Sequence, residues 1–376
     1  MNLICFSHLR WNFAHQRPQH VLSRFAEKYT VFYVEEAEYS QDDDGYHATY
    51  NDDNVTVIIP HLNADGDRKD VDLRLTQIIS SFIVDTNIEK YFLWFYTPMA
   101  LRFSTHLRPQ YVVYDCMDEL GALKHAPQEL KDLEASLIEK ADVIFTNGNA
   151  LYNAKKNLHN NIYSFPSSID KKHFGSARNI NFDVEAQKHI PHPRLGFFGV
   201  IDERFDIDLI EKVAIARPDW HFVIIGPVVK IDPEILPKNH NIHYLGSKNY
   251  NELPEYIASW DIALIPFAIS ESTTFVSPTK TPEYLAAGKP VVSSAITDVI
   301  RPYGIESLVH IYTSSDEFIT QVTQELAILD KSEWLKKVDD FLLNISWDIT
   351  CEKMNAIVTE GIKSEHSNFK NVEHNV

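Results

Sequence analysis

The sequence predicts an α/β protein built from two doubly wound domains, and three features support this fold class. The chain has 376 residues, which corresponds to two domains at roughly 150 residues each. Hydrophobic residues make up 44% of it, enough for two buried cores. Short apolar runs alternate with amphipathic stretches, a pattern typical of βαβ units and parallel sheets.

Strand-like runs occur in two series. The first contains NLICFSH, YTVFYVEE, VTVIIPH, KYFLWFYT, QYVVYDC and ADVIFTNG. The second contains RLGFFGVI, HFVIIGPV, NIHYLGS, WDIALIPF, KPVVSS and LVHIYT. Between them lies a polar stretch without periodicity, so we predict a first Rossmann-like domain over 1–173, a linker over 174–192 and a second Rossmann-like domain over 193–346.

Composition excludes several functional classes. The 35 basic and 53 acidic residues give a formal net charge of −18, which argues against binding nucleic acid. The three cysteines are far apart and lack metal-ligand spacing, which favours packing roles. The N-terminus does not have the features of a signal peptide, and no run approaches the roughly 20 apolar residues of a membrane span. We therefore expect a cytoplasmic protein.

A peripheral association with the inner face of the membrane stays open at this point. Lys155, Lys156, Lys171 and Lys172 could form a small basic patch that docks on anionic lipid. The alternative is a solvated helix face and turn, which we favour.

Two tandem doubly wound domains are expected to place the carboxyl ends of their sheets around one cleft, where open α/β sheets bind ligands. In RLGFFGVIDERFDIDLI, a buried strand ends at Gly199, which allows close approach of a backbone or ligand. Arg204 follows in a charged loop and offers a planar fork suited to phosphate. Alternatively, the glycine serves packing and Arg204 pairs with Asp202 or Asp206.

The stretch SPTKTPEYLAAGKPVVS predicts a short helix with Ser277 as N-cap and Gly288 just beyond its C-terminus. Backbone N–H groups of Thr279 and Lys280 then face an incoming anion, and the Lys280 ammonium adds a cation. Glu283, on the same helix face, could accept hydrogen bonds from vicinal hydroxyls. This pairing suits the ribose and diphosphate of a nucleotide, whereas the alternative is a structural i,i+3 ion pair. Pro282 conflicts with a regular helix.

These pieces resemble a known family. WNFAHQRPQHVLSRFA, VVYDCMDEL, ADVIFTNGNAL, FPSSIDKKHF, GFFGVIDERFDIDLI and SPTKTPEYLAAGKPVVS follow one another as in bacterial glycosyltransferases of the GT-B fold. The resemblance is to the retaining family 4 (group 1) enzymes, and within them to teichuronic-acid and exopolysaccharide transferases. SWDITCEKM resembles the segment where such enzymes return to the first domain. We therefore expect a helix over 347–363 packed on that domain and a polar tail over 364–376.

The resemblance implies roles for the residues of the second domain. Glu283 matches the second Glu of the family's Glu-x7-Glu motif and would hold the donor ribose. Arg204 and Lys280 would bind the diphosphate, with Gly199 and Thr279 beside them. The first Glu of the motif has no counterpart, because Phe275 occupies its position. Glu271 lies nearby in the sequence.

The resemblance also suggests roles in the first domain. Asp118 of YDCMDEL falls where relatives place a group that touches the transferred sugar, although it could equally be a helix N-cap. Trp11, His15 and Arg17 follow the first strand and would contact acceptor or donor. Their alternative is structural: RPQ begins a helix and Trp11 packs beneath it.

The implied reaction is transfer of a sugar from a UDP- or GDP-sugar to a saccharide or lipid-linked acceptor in cell-surface polysaccharide biosynthesis. The resemblance implies a retaining reaction. Because cations and the helix terminus would stabilise the departing diphosphate, we expect it to need no metal and no cofactor. The run of aspartates at 42–44 resembles a metal motif but is expected to be a solvated loop. Two alternatives stay open: a sugar-nucleotide 2-epimerase of the same fold, and a non-catalytic nucleotide-sugar-binding partner, which Phe275 favours.

Overall fold

The computed structural model describes residues 1–67, 70–122 and 126–373. The chain divides into two compact units. Unit 1 comprises Met1–Pro166 and the segment that begins at Trp347, and unit 2 comprises Ser167–Ser346. Each unit contains a largely or wholly parallel sheet joined by helical crossovers. The predicted fold class of two Rossmann-like domains is confirmed.

Unit 1 is built on a nine-stranded sheet with the order β3-β5-β2-β1-β6-β7-β8-β9, and β4 pairs with β5 on the edge. All pairings are parallel except the antiparallel β4–β5 pair. The strands are β1 Asn2–Phe6, β2 Thr30–Val34, β3 Glu38–Ser40, β4 Gly45–Tyr50, β5 Val55–Asn63, β6 Tyr91–Phe95, β7 Val112–Cys116, β8 Val143–Thr146 and β9 Ile162–Ser164.

The α-helices that connect the strands of unit 1 flank this sheet. They are α1 Arg17–Phe25, α2 Val71–Asp85, α3 Leu101–Ser104, α4 Leu130–Lys140 and α5 Asn149–Lys155. Residues 42–44 form an exposed loop, as expected, and β3 and β4 flank it. Asp44 is held by an ion pair with Arg74 and accepts the Asn63 backbone N–H at 2.8 Å.

Unit 2 is built on a six-stranded, fully parallel sheet with the order β12-β11-β10-β13-β14-β15. Its strands are β10 Arg194–Phe198, β11 His221–Ile225, β12 Ile242–Tyr244, β13 Ile262–Ile265, β14 Val291–Ser294 and β15 Val309–Tyr312. Its described α-helices are α6 Lys171–Gly175, α7 Ile207–Ala216, α8 Leu253–Ala258, α9 Glu271–Thr274, α10 Lys280–Ala286, α11 Thr297–Val299, α12 Ser315–Ala327 and α13 Ser332–Leu342.

The segment 174–192 does not act as a linker in the structure. The boundary lies between Pro166 and Ser167, and the segment packs on unit 2. Phe174, Ala177 and Ile190 are buried in the unit 2 core. These buried side chains anchor the segment to unit 2. Their spacing is irregular, which explains why the sequence of the segment shows no periodicity.

The last helix, α14, spans Trp347–Glu373 and belongs to unit 1. Trp347, Met354 and Val358 are fully buried in its core, and the Trp347 ring stacks on His20 at 4.7 Å between centroids. The helix continues past residue 363, where we had expected a tail. SEHSNFKNVE contains neither glycine nor proline to end it.

Candidate functional site

The helix α10 is fixed onto the carboxyl end of β10. The hydroxyl of Tyr284, which is fully buried, accepts a hydrogen bond from the Phe198 backbone N–H at 3.0 Å. At the other end of α10, Gly288 adopts φ 74°, and the N–H of Lys289 bonds to the Tyr284 carbonyl at 3.0 Å. This is the glycine-terminated helix end that the sequence predicted. Tyr284 was not predicted; a buried tyrosine hydroxyl needing a partner was the available signal.

The start of α10 differs from the prediction. Thr279 occupies the N-cap position with no side-chain cap bond, in place of Ser277. The Ser277 carbonyl instead accepts the Ser167 hydroxyl at 2.8 Å. Because the helix begins at Lys280, Pro282 lies in the first turn, where its missing N–H costs no hydrogen bond. The expected conflict at Pro282 therefore does not arise.

Lys280 lies over the end of β10. Its Nζ donates to the Thr279 hydroxyl at 3.1 Å and stands 5.3 Å from the centre of the Phe198 ring. Burial lowers the pKa of Lys280, Glu283 opposes that shift, and the charge of Arg204 adds to it. The ammonium is thus poorly solvated and close to a second cation, which is an environment that favours an anionic ligand.

Glu283 is a buried acid whose carboxylate is only partly hydrogen-bonded. Its side chain is buried, with 3% of the residue exposed, and Oε2 makes no hydrogen bond to the described residues. Burial raises the pKa of Glu283 to about 7, although Lys280 and the Thr279 hydroxyl favour the ionised form. A buried carboxylate oxygen without a partner costs free energy, so it marks a place where a hydrogen-bond donor is expected to bind.

The backbone approaches closely at Gly199, as predicted. Gly199 has φ 149°, and a Cβ there would stand 3.2 Å from Lys280 Cε and 3.1 Å from Phe197 Cζ. A Cβ on Gly226 would stand only 1.8 Å from the Gly199 carbonyl oxygen. Two glycines therefore allow the ends of β10 and β11 and the Lys280 side chain to share this space.

Arg204 has an acidic partner in the structure. Its Nη2 lies 2.6 Å from Asp202 Oδ2, and Nε bonds both oxygens of the same carboxylate. Asp206 instead caps α7 by accepting the Leu209 N–H at 2.9 Å. The Arg204 carbonyl accepts the Ala268 N–H at 2.8 Å, so the loops after β10 and β13 run side by side. The ion pair between Arg204 and Asp202 is the structural alternative that the sequence offered. The charge of Arg204 nevertheless lowers the pKa of Lys280.

Phe275 directly follows α9 and is partly buried. Glu271, the first residue of α9, is exposed, and Ser270 caps that helix. Within the described residues, Glu271 makes no hydrogen bond or ion pair with Lys280 or Glu283. The missing first carboxylate of the family motif is therefore not replaced by an observed contact.

Asp118 lies in unit 1, in the loop that follows β7. It is partly buried, and its carbonyl accepts the Cys116 thiol at 3.6 Å. The N-cap of α4 is Glu129, so Asp118 does not cap that helix. The adjacent Glu119 is held by Lys155, whose Nζ lies 2.8 Å away.

Trp11 and Arg17 are occupied by structural contacts. Trp11 is buried, and its backbone N–H donates to the Glu35 carboxylate at 2.7 Å. Its ring packs edge-on against Tyr33. Arg17, 1% exposed, forms an ion pair with the fully buried Asp115 at 3.0 Å and donates to the Phe165 carbonyl at 2.9 Å. These contacts match the structural alternative, and the substrate roles suggested for both residues stay predictions.

His15 is exposed, with its ring edge-on to His20 at 4.3 Å. The basic patch is also altered. Lys155 is buried between Glu119 and Glu134, so it cannot serve a membrane. Lys156, Lys171 and Lys172 are exposed.

Over 1–67, 70–122 and 126–373, no three His, Cys, Asp or Glu side chains are grouped to hold a metal ion. In the same part of the chain, no helix has both the length and the apolarity needed to cross a membrane.

Residues 192–327, from just before β10 to the end of α12, match the family model for glycosyl transferases group 1. The match lies within unit 2. The predicted resemblance to group 1 glycosyltransferases is confirmed. A putative teichuronic acid biosynthesis glycosyltransferase of Bacillus subtilis (strain 168), TuaH, is 26% identical over 58% of this chain. The chain spans 60% of the length of that relative.

Solved structures share the fold of the whole chain. An E. coli trehalose-6-phosphate structure bound with UDP-2-fluoro glucose has a TM-score of 0.67 and covers 95% of this chain and 99% of its own. Sucrose-phosphate synthase from Thermosynechococcus elongatus scores 0.65 with full coverage of both chains, 100% and 100%. Anabaena HepE in complex with UDP and glucose scores 0.68, covering 96% and 99%. Each is 12% identical, so the likeness establishes the GT-B fold alone.

Proposed function

We propose that the protein is a glycosyltransferase that takes its sugar from a nucleotide-sugar donor bound in unit 2. The observation that carries the proposal is the buried, unsatisfied Glu283 carboxylate one turn from Lys280. A ribose offers two vicinal hydroxyl donors, which would satisfy Oε2 of Glu283. The diphosphate offers negative charge that would pair with the Lys280 ammonium. Both residues lie within the segment that matches group 1 glycosyltransferases.

In this proposal the protein stabilises the leaving group. As the glycosidic bond to phosphate breaks, negative charge grows on the diphosphate, and the sugar develops oxocarbenium character. Lys280 and Arg204 face that charge, and their effect is large because the site is poorly solvated. Arg204 must share its guanidinium between Asp202 and the phosphate, or exchange one for the other. We propose that no metal ion and no cofactor is required and that the reaction retains the anomeric configuration.

The acceptor class follows from the relatives by analogy. TuaH is named for teichuronic acid biosynthesis, and two solved relatives are named with UDP or a UDP-sugar bound. We therefore propose a UDP- or GDP-sugar as donor and a saccharide or lipid-linked saccharide of the cell surface as acceptor. The reaction would take place in the cytoplasm or at the inner membrane face.

The test is a screen of nucleotide sugars by thermal shift, followed by measurement of donor hydrolysis without acceptor. We expect one donor to raise the melting temperature and to be cleaved slowly to nucleoside diphosphate and sugar. Binding without any cleavage or transfer would favour the non-catalytic partner, which the Phe275 substitution supports. Conversion of the sugar to its 2-epimer would indicate the isomerase instead.

A further inference from the structure

Unit 1 contains a cavity of about 330 Å³ that is separate from the Lys280 and Glu283 site of unit 2. It lies where β1, β2 and β6 end, beside Ser7, Glu35 and Thr97. The start of α2 and the residues of α3 complete its wall. The carboxyl edge of a parallel sheet is the place where α/β units bind ligands. The position of the cavity therefore indicates a binding site.

The wall of this cavity is mainly apolar. Phe6, Leu62, Leu75, Met99 and Phe103 contribute to it. Leu62 and Leu75 also belong to a small buried cluster that is separate from the main core of unit 1. A cavity built from such side chains gains free energy when an apolar group replaces water in it.

Three polar side chains of the wall, Ser7, Glu35 and Thr97, are engaged within the protein. The Ser7 hydroxyl accepts the Leu9 N–H at 3.0 Å, and the Thr97 hydroxyl accepts the Met99 N–H at 3.3 Å. Glu35 accepts from Trp11 N at 2.7 Å and from an arginine at 2.9 Å. A ligand inside the cavity would therefore make few new hydrogen bonds, which favours an aliphatic occupant over a sugar ring.

The charged side chains of the lining argue against a phosphate. They are Glu35, Glu36, Asp72 and Arg102, so three carboxylates face one arginine. Arg102 pairs with Asp72 at 2.9 Å. An anionic head group would therefore meet net negative charge. The occupant is therefore uncharged where it enters the cavity.

We propose that this cavity binds an aliphatic chain carried by the acceptor, so that the acceptor is a lipid-linked or alkyl-linked saccharide. The inference rests on the proposed glycosyltransferase function. A cavity of about 150 Å³ holds benzene, so this volume accommodates roughly a dozen heavy atoms of the chain. The chain would add affinity without touching the reacting atoms.

The test compares methyl and octyl β-D-glucoside as probes, each kept monomeric, by titration calorimetry on the full-length protein. Each buried methylene can add up to about fourfold in affinity. We expect octyl glucoside to bind at least about a hundredfold more tightly than methyl glucoside, and the gain to stop near ten to twelve carbon atoms. Equal affinity of the two probes would overturn the proposal.

Two variants of α2 locate the effect. Val71→Trp places a large ring at the partly exposed wall and should reduce octyl glucoside affinity at least tenfold. Leu73→Trp is the matched control, because Leu73 is 57% exposed and does not line the cavity. If Val71→Trp fails to fold, Ala37→Phe fills another part of the same wall. Unchanged octyl glucoside affinity in the folded cavity variant would place the chain elsewhere and overturn the proposal.

Separate readouts distinguish this inference from the proposed function. Donor cleavage with no chain-length effect would reject the lipid site and leave the transferase intact. Binding of the octyl chain without donor binding or cleavage would support the aliphatic-chain site and reject the glycosyltransferase function. Binding to neutral phosphatidylcholine vesicles that is lost in Val71→Trp, with no difference between the two glucosides, would assign the cavity to membrane lipid and contradict the acceptor assignment.

Discussion

Glu283 and Lys280 lie one turn apart on α10, yet the hydrogen bonds of the pair are incomplete. Lys280 Nζ bonds the Thr279 hydroxyl, while Glu283 Oε2 is buried with no hydrogen-bond partner among the described residues. A purely structural i,i+3 ion pair would be expected to satisfy both groups, since an unsatisfied buried oxygen costs about 1–3 kcal/mol. This difference separates the ligand-binding interpretation from the structural one.

The pH dependence of donor binding should report Glu283 directly. Burial raises the pKa of Glu283 to about 7, so below pH 7 the carboxyl is largely protonated and must lose its proton to accept two hydroxyls. We expect the affinity for nucleoside diphosphate to fall by up to about tenfold per pH unit below 7 and to be nearly constant above it.

Two variants isolate this effect. Glu283→Gln should weaken binding and remove the pH dependence that exceeds the ligand's own ionisation. Glu255→Gln changes an exposed carboxylate on α8 and should leave the profile unchanged. The same pH profile in wild type and Glu283→Gln would show that Glu283 does not take part in binding.

Gly199→Ala should disrupt the support of Lys280. The new Cβ meets Phe197 and Lys280 at about 3 Å in a backbone conformation with φ 149°. We expect a loss of about 2–3 kcal/mol in the free energy of unfolding, together with weaker nucleotide binding. Gly246→Ala is the comparison, because that residue has φ 67° with no atom within 4 Å of an added Cβ. Denaturant unfolding measures the free energy of unfolding of both variants. Equal losses in the two variants would show that the Lys280 contact is unimportant.

Asp118→Asn should separate catalysis from binding. If the carboxylate steadies positive charge on the sugar, the variant should lower donor turnover by roughly 10²-fold while nucleoside diphosphate affinity stays within about threefold. Asp132→Asn, an exposed carboxylate on α4, is the control. Near-normal turnover of a folded Asp118→Asn would reject the catalytic role, and melting temperatures of both variants establish that they fold.

Acid should destabilise unit 2 through a histidine cluster. Burial first, and then His221, His189, His240 and Arg194, lower the pKa of His243 to about 4. Its neutral form is therefore favoured in the folded state, and stability present above the unfolded pKa of about 6.5 is lost as the pH falls towards 4.

After discounting for partial exposure, we expect His243→Phe to recover about 1 kcal/mol of the stability that wild type loses between pH 7 and pH 5. His47→Phe tests an exposed histidine in unit 1 as the control. Urea unfolding at the two pH values measures the difference, and an equal acid loss in wild type and His243→Phe would contradict the assignment.

Much of the fold was predictable because parallel strands buried on both faces leave continuous apolar runs. All twelve predicted runs contain a strand of the structure, from β1 to β15. Strands β3, β4 and β9 were missed, because β4 is largely exposed and β3 and β9 have only three residues each. Segment 174–192 was misread because its buried side chains lack a regular spacing.

The site was predictable to the extent that it depends on local sequence. Lys280 and Glu283 share a helix face because they are three residues apart, and Gly199 ends a buried strand. Burial depends on distant packing, however, so the sequence left the substrate and structural interpretations of Trp11 and Arg17 both open, and the structure buries both residues. The ion pair joining Arg17 to Asp115 spans 98 positions of the chain.

The most direct test of the account is the dissociation constant of the preferred nucleoside diphosphate, measured by calorimetry in EDTA for wild type and for Lys280→Ala, Glu283→Ala and Arg204→Ala. We predict that wild-type binding survives EDTA and that each variant weakens it by roughly tenfold to a hundredfold, the effect of one charge-assisted hydrogen bond. Arg217→Ala removes an arginine that pairs with Asp219 much as Arg204 pairs with Asp202, and should bind as wild type does. Unchanged affinity in all three site variants would contradict the proposed nucleotide site.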